Sequence, residues 1–472
     1  MAKQVNATEV NIKTLEIYSA TGRYNLIPHL VELSVFENIF RPALTSKLVL
    51  SDSINIPKKL PIVGQETVDI DISLAGFGGV KDEDEVSIKP PPLHVNSIKS
   101  RFFSKPKAQV FTLELISEQY MSSVHSKVSK SYNGKKISSI VSDIYYKYLH
   151  ENNANFFLEE TESIENIIIP NLSPIDAIAW LCKRAIPSAN NGVNYLFFET
   201  MRSSFFVSID SLATKEPLFH YFYKPRVDDP SGLENISAGK FKISKLIFMS
   251  QFDKIKNTKR GVYSSKLITH DIVKKKLTQY EYRGFAEFMA LNHFGVFPPL
   301  ANSDMAIKSA RVNRTTMAPG DIDNNFQTTN QRTLSDMVDS KIEFYPKHNQ
   351  MYSKNTKDLY DNKVETWKQK RCGNMGIYDG ITLEISISGN SALRVGNAIH
   401  LKIASAETSD GDGMSDVGED KFLSGTYMVT AIQHIFSRTS PTDPNIKYDM
   451  KMEVVKDGLE DMVMTVKSKK ED

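Results

Sequence analysis

Val68, Ile70, Ile72 and Leu74 alternate with Asp69, Asp71 and Ser73, a period of two with one apolar and one wet face. Phe111, Leu113 and Leu115 alternate with Thr112 and Glu114 in the same way. Segments 26–36 and 41–50 read as two further strands, with Glu37 and Asn38 near their turn. Between 76 and 92, four residues rich in glycine, a charged run and three prolines make a polar, broken connection. Short strands at this spacing, with little helical signal, predict a small antiparallel barrel or sandwich over residues 1–122.

The period then changes. Ile137, Ile140, Val141, Ile144, Tyr148 and Leu149 recur at helical spacing across 135–149. Ser173 and Pro174 open a second helix, because serine can cap orphan N–H groups and proline fits the first turn. Asp176 adds negative charge near the positive end of that helix dipole, and Ile175, Ile178, Ala179 and Cys182 form its buried stripe. Two β-rich runs, 194–199 and 205–209, flank a polar turn, so 123–215 is predicted to be an α+β domain.

Strands resume over 216–258, with 242–248 the clearest. Segment 259–375 holds a candidate helix around 282–291 and long polar stretches, and reads as a large insertion of helices and extended arms. A connection this long suits a segment that reaches across a partner. Ile381, Leu383, Ile385 and Ile387 then alternate with Thr382, Glu384, Ser386 and Ser388. Segments 393–403, 425–436 and 446–455 continue the β pattern, and 457–472 reads as a frayed, charged tail. The fold class predicted is α+β, mainly β. A first β domain (1–122) and a second (216–258 with 376–456) flank the α+β domain, and the second carries the insertion.

At 472 residues the chain has room for about three domains. Its formal charge of +2, from 58 basic and 56 acidic residues, is unlike the concentrated basic surface of a dedicated nucleic-acid binder. The two cysteines, Cys182 and Cys372, lie in no CxxC or histidine-spaced cluster, which excludes a disulfide framework and a cysteine zinc site. Cys182, in a helical apolar stripe, is expected to be a buried, inert thiol. The first twenty residues lack the apolar core of a secretory signal, and no stretch approaches 18 consecutive apolar residues. Synthesis and assembly in a cytoplasm, with no membrane-spanning segment, are the expectation.

The usual catalytic signatures, HExxH, GxSxG and GxxxxGK[ST], are absent from the sequence. Gly76, Gly78 and Gly79 lack the strand–helix setting of a phosphate loop. His434, inside the strand-like run 429–436, reads as a hydrogen-bonded structural histidine. Glu159, Glu160 and Glu162 read as a solvated charge run. Asp410, Asp412 and Asp416 place carboxylates at nearly alternate positions, as calcium loops do. Met414 occupies the third ligand position, however, and the turn glycine is displaced, so an acidic connection between strands is the preferred reading. No catalytic, cofactor-binding or metal residue is assigned, and a non-enzymatic structural role is expected.

The end of the chain carries a resemblance. Ser424, Gly425, Tyr427, Val429, Ile432, His434 and Phe436, then 448–455 and Lys456-Asp457-Gly458-Leu459, are similar to the last strands of baseplate hub proteins of contractile-tailed bacteriophages. The late-control hub family and the base of type VI secretion spikes share that pattern. Tyr378, Asp379, Gly380, Gly389, Leu393, Val395 and Gly396 resemble the preceding strand pair, with glycines suited to turns that need positive φ. Val31, Glu32, Leu33, Val49–Asp52 and 68–72 look like the first hub barrel, and the two helices fall in the expected order.

The resemblance implies two tail-tube-like antiparallel β-barrel domains per chain, and a homotrimer that forms a pseudo-sixfold ring. Such a ring joins a threefold central spike protein below to the tail tube or tube-initiator proteins above, inside surrounding baseplate wedge proteins. The tape-measure protein, and then DNA in transit, would pass through its lumen. The location implied is the virion tail baseplate, assembled in the host cytoplasm. A tail-associated cell-wall hydrolase hidden in 259–375, or a receptor-binding adhesin, are the alternatives from other classes.

Overall fold

The computed structural model describes residues 9–74, 86–106, 108–149, 155–162, 164–189, 191–223, 241–251, 253–272, 274–295, 338–347, 364–405, 419–438 and 445–459. The N-terminal strands are β1 (Glu9–Ser19), β2 (Gly22–Asn25), β3 (Leu30–Asn38), β4 (Thr45–Asp52), β5 (Thr67–Leu74), β6 (Val86–Ile88), β7 (Leu93–Lys105) and β8 (Ala108–Ser117). The α+β section contributes β9 (Val128–Lys136), β10 (Phe156–Leu158), β11 (Ile164–Leu172), β12 (Tyr195–Glu199) and β13 (Ser204–Ser208). The remainder holds β14 (His220–Tyr223), β15 (Ile243–Ser250), β16 (Ser264–Asp271), β17 (Lys276–Arg283), β18 (Ile342–Lys347), β19 (Ile381–Ser388), β20 (Ala398–Ile403), β21 (Gly425–Arg438) and β22 (Ile446–Lys456).

Strands from the two β regions share one sheet of 14 strands. Alternation explains why. On β8 every second residue from Gln109 to Ser117 is buried, including Phe111, Leu113 and Leu115, so that face must find a core. The pairing runs from β3 through β4, β8, β7 and β5 to β1. It passes from β1 to β22, from β22 to β21, and from β21 back to β3. The hydrogen-bonded path therefore closes on itself. Outside this circuit β19 pairs with β22 and β15 with β19, while β20 and β14 extend from β21. One large apolar core unites Leu15, Leu33, Leu48 and Leu113 with Leu383, Phe436, Met452 and Val454.

The α+β section has its own core. Ile137, Ile140, Val141 and Ile144 are buried on the helix Ile137–Ile144, as their spacing predicts, and pack with Ile175, Ile178 and Leu181 of the helix Pro174–Cys182. Ser173 caps the latter: its Oγ accepts from Asp176 N at 3.3 Å and donates to the Asp176 carboxylate at 2.5 Å. Ser173→Ala should therefore lower stability by about 1 kcal/mol, read as a fall in the urea midpoint, whereas Ser173→Asp should retain most of it.

Within 259–375 the described residues form a β-structure that periodicity did not anticipate. Strand β16 pairs antiparallel with β17 and parallel with β18, and the helix Val364–Tyr378 packs against this sheet. Gly373 and Gly376 permit the contact, because a Cβ at either would overlap Tyr282 Oη or Val262 Cγ2. The predicted helix near 282–291 is a single short turn, Gly284–Phe288. From the long helix, Arg371 donates to Val193 O at 2.9 Å and to Ala185 O at 3.2 Å, tying the insertion to the α+β section.

Two expectations need adjusting. Of the turn glycines, Gly396 has φ +79°, but Gly380 and Gly389 do not have positive φ. Gly389 is needed for space instead, since a Cβ there would lie 1.9 Å from Tyr448 Cδ1. Residues 457–459 are also not frayed: Asp457 is 1% exposed and Leu459 6%, and Phe294 N donates to the Asp457 carboxylate at 3.0 Å.

Candidate functional surface and its buried support

The same alternation that fills the core leaves the opposite face of the sheet largely polar, with Phe36, Val49, Ile116 and Ile435 half-buried among the polar side chains, and strand register lines these positions into rows. One row runs Ser388–Asp449–Ile435–Ser34–Lys47–Glu114–Ser97. A second runs Ser386–Lys451–Gln433–Phe36–Thr45–Ile116–His94. A third runs Lys447–Ser437–Glu32–Val49–Thr112–Lys99. Glu384 and Glu453 lie side by side at the end of a shorter row.

The charges on this face interleave. Lys99 Nζ is 2.7 Å from the Glu114 carboxylate, and Lys99 with Ser97 holds that carboxyl below its ordinary range. Lys47 stands opposite Glu114 across the strand pair, and Lys451 lies beside Glu453 on β22. The rows carry four lysines (Lys47, Lys99, Lys447, Lys451) against five carboxylates (Glu32, Glu114, Glu384, Asp449, Glu453). A hollow of about 490 Å³ sinks into the face between β19, β22, β21, β3 and β4, lined by Phe36, Thr45, Lys47, Gln433 and Lys451 among others.

Beneath the hollow lies a buried polar cluster. Glu37 is the inward residue that follows Leu33 and Val35 on β3, and it is 2% exposed. Its carboxylate accepts from Met201 N at 2.8 Å and Val395 N at 3.4 Å, which pins two chain reversals from elsewhere in the sequence to β3. Glu199 reaches across in the same manner and accepts from Leu44 N at 3.1 Å. Burial pushes both carboxyls up to about 7, against the pull of these N–H donors. His434 is fully buried beside them: its Nδ1 is hydrogen-bonded to Tyr448 Oη at 2.9 Å, and Nε2 lies 4.0 Å from Glu37. Burial lowers its pKa to about 3, so it is a neutral structural histidine, in keeping with the strand reading.

The other sequence candidates lie apart from this cluster. Cys182 is 8% exposed and burial pushes its thiol up to about 12. Glu160 pairs with Lys136 at 3.2 Å, as a surface charge would. Glu159 is not solvated as expected: its carboxylate accepts from Ser208 N at 2.6 Å and Ser208 Oγ at 3.0 Å. The strand β10 directs it inward, toward the start of the helix Ile209–Ala213, which the charge run alone could not reveal. The Asp410–Asp416 loop and the glycines at 76–79 lie outside the described residues. Among the described residues no cluster of three or more His, Cys, Asp or Glu could hold a metal, and no helix is long and apolar enough to cross a membrane.

No family model matches this chain, and neither does any curated protein sequence. Solved structures do match. A tail protein from Neisseria meningitidis superposes with a TM-score of 0.50 at 10% identity, over 94% of this chain and 96% of that one. The 43 kDa tail protein of prophage MuSo2 from Shewanella oneidensis gives a TM-score of 0.50 at 9% identity, over 94% of this chain and 98% of that one. The chain shares the fold of these two tail proteins along nearly its whole length.

Proposed function

We propose that this protein is a structural hub of a phage tail baseplate. Three copies close into a pseudo-sixfold ring, each chain supplying two tube-like barrels from its continuous sheet. The ring joins a threefold spike protein below to the sixfold tube proteins above, and wedge proteins surround it. The observation that carries this reading is the fold shared with two phage tail proteins over more than nine-tenths of the chain. The strands at the two ends of the sheet, β14 and β15, also approach each other, with Phe222 N donating to Phe241 O at 3.0 Å just before β15, as a second closed barrel would require.

The polar face of the sheet is the proposed lumen lining. Its near-balanced lysines and carboxylates fit a channel through which a tape-measure protein and then DNA must slide. Phosphate binding strengthens with every unopposed cation, and tight binding would stall transit. Interleaved carboxylates prevent that.

The test is the solution mass by light scattering, with the chain alone and with a co-expressed spike protein. Three times the chain mass for the chain alone, or three chains plus the bound spike in the co-expressed sample, is the expected result. A mass equal to one chain in both samples would remove the ring and with it the proposed lumen.

A further inference from the structure

A second hollow, of about 270 Å³, lies on the other side of Glu37. Thr200, Met201 and Arg202 of the β12–β13 turn form one wall, and Leu393, Arg394 and Asn397 before β20 form another. Arg202, Leu218 and Ala392 are exposed at its rim, so the hollow opens to solvent. Arg394 is half-buried, and its guanidinium lies over the Phe205 ring at 5.2 Å and the Phe157 ring at 5.8 Å. Phe157 stacks on Phe205 at 4.9 Å, and Phe205 on Phe198 at 5.0 Å, so the arginine rests on a rigid aromatic shelf.

The charge in this hollow is unbalanced. Neither Arg202 nor Arg394 has a carboxylate within ion-pair distance among the described residues. Arg394 feels the attraction of Glu37 and then the opposing charge of Arg202, and Lys215 adds a third cation within reach of Arg394. Glu37 is the one acidic residue in the lining, and its oxygens are engaged by Met201 N and Val395 N. Burial pushes that carboxyl up to about 7, against the pull of both arginines, so it is at most a single charge facing three cations. A guanidinium stacked on aromatic rings keeps its in-plane N–H donors free for a bidentate oxyanion.

We infer that this hollow binds a side-chain carboxylate from an acidic, partly apolar peptide segment of another protein. Arg202 and Arg394 would hold the carboxylate, while Leu218, 54% exposed at the rim beside Ala392, would take a neighbouring apolar side chain. That apolar rim favours a peptide over a free inorganic anion, which would leave Leu218 wet. The inference does not depend on the ring.

The test uses the full-length chain and three probes: a peptide of alternating Glu and Leu, a matched peptide of Lys and Leu, and inorganic phosphate. Saturable binding of the Glu/Leu peptide alone is expected, measured by calorimetry. Arg394→Gln and the exposed Arg202→Gln should each weaken it by about tenfold, Arg394→Lys less, and the exposed Lys276→Gln on β17, outside the hollow's lining, not at all. Because Arg202 is exposed, its variant should fold normally, and an unchanged melting midpoint checks this. Equal binding of both peptides, binding of phosphate alone, or indifference to both arginine variants would each overturn the inference.

Discussion

Gly389→Ala should destabilise the chain by about 3 kcal/mol, the upper end for overpacking a closed core. The added Cβ would lie 1.9 Å from Tyr448 Cδ1 and 2.2 Å from its Cγ. The ring has nowhere to go. It is 1% exposed, stacked on Phe436 at 4.5 Å, and tied through its hydroxyl to His434 at 2.9 Å. The backbone is fixed as well, since Gly389 N donates to Tyr448 O at 2.9 Å. Guanidinium titration of wild type and variant gives the comparison, and Gly22→Ala is a useful contrast. Gly22 has φ +149° and nothing within 4 Å of its Cβ position, so its cost comes from the backbone alone. Equal midpoints for wild type and Gly389→Ala would mean that the Tyr448 ring can give way at no cost.

Stability should also fall as pH rises from about 5 to 8, the reverse of a protein held by ionised carboxylates. Glu37, Glu199 and Asp457 are each held up at about 7 by burial. Between their unfolded values and about 7 the folded state binds more protons than the unfolded chain, so stability is present at low pH and lost as pH climbs through that window. His434 works in the opposite sense. Its pKa is depressed to about 3, so its contribution is present above the unfolded value and lost as pH falls. Three carboxylates outweigh one histidine, and the net slope between pH 5 and 7 is downward. Each carboxylate is worth roughly 2–3 kcal/mol across the window. Glu199→Gln keeps an acceptor for Leu44 N and should flatten the curve, gaining most at pH 8. Denaturant midpoints at pH 5, 6, 7 and 8 decide the matter, and a rise with pH in the wild type would show that these acids are ionised and paired.

Where one face is buried, the strand pattern in the sequence carries over directly. The alternations at 68–74, 111–115 and 381–387 became β5, β8 and β19, and Ser173 caps where its neighbours say it should. Partnership was not legible. Nothing in Ile435 or Ser34 announces that they face one another, because cross-strand register is a long-range fact. The sheet of β16–β18 was missed because β17 carries Gln279 and Glu281 on its open face, and β18 pairs with it only through β16. The buried charged residues carry a signal of their own in the strand pattern. Glu37 continues the inward parity of Leu33 and Val35, and Lys456 that of Met452 and Val454, so each breaks its own pattern. A charge at an inward position is either a turn or a polar anchor. Both are anchors here: Lys456 Nζ donates to the carbonyls of Phe422, at 3.4 Å, and Ser424.

The closure of the strand circuit by β21 and β22 sets a timetable for synthesis. Gln433 hydrogen-bonds to Ser34 across 399 positions of sequence, and the pairing of β3 with β21 spans a similar distance. At roughly 5–20 residues per second, a ribosome needs tens of seconds to deliver β21 after β3 has emerged. Throughout that interval β3 and β1 lack the partners that complete their edges. Chaperone occupancy of the nascent chain, and the yield of soluble protein at high expression rates, are therefore governed by the wait for the last two strands of the circuit and not by the speed of any local fold.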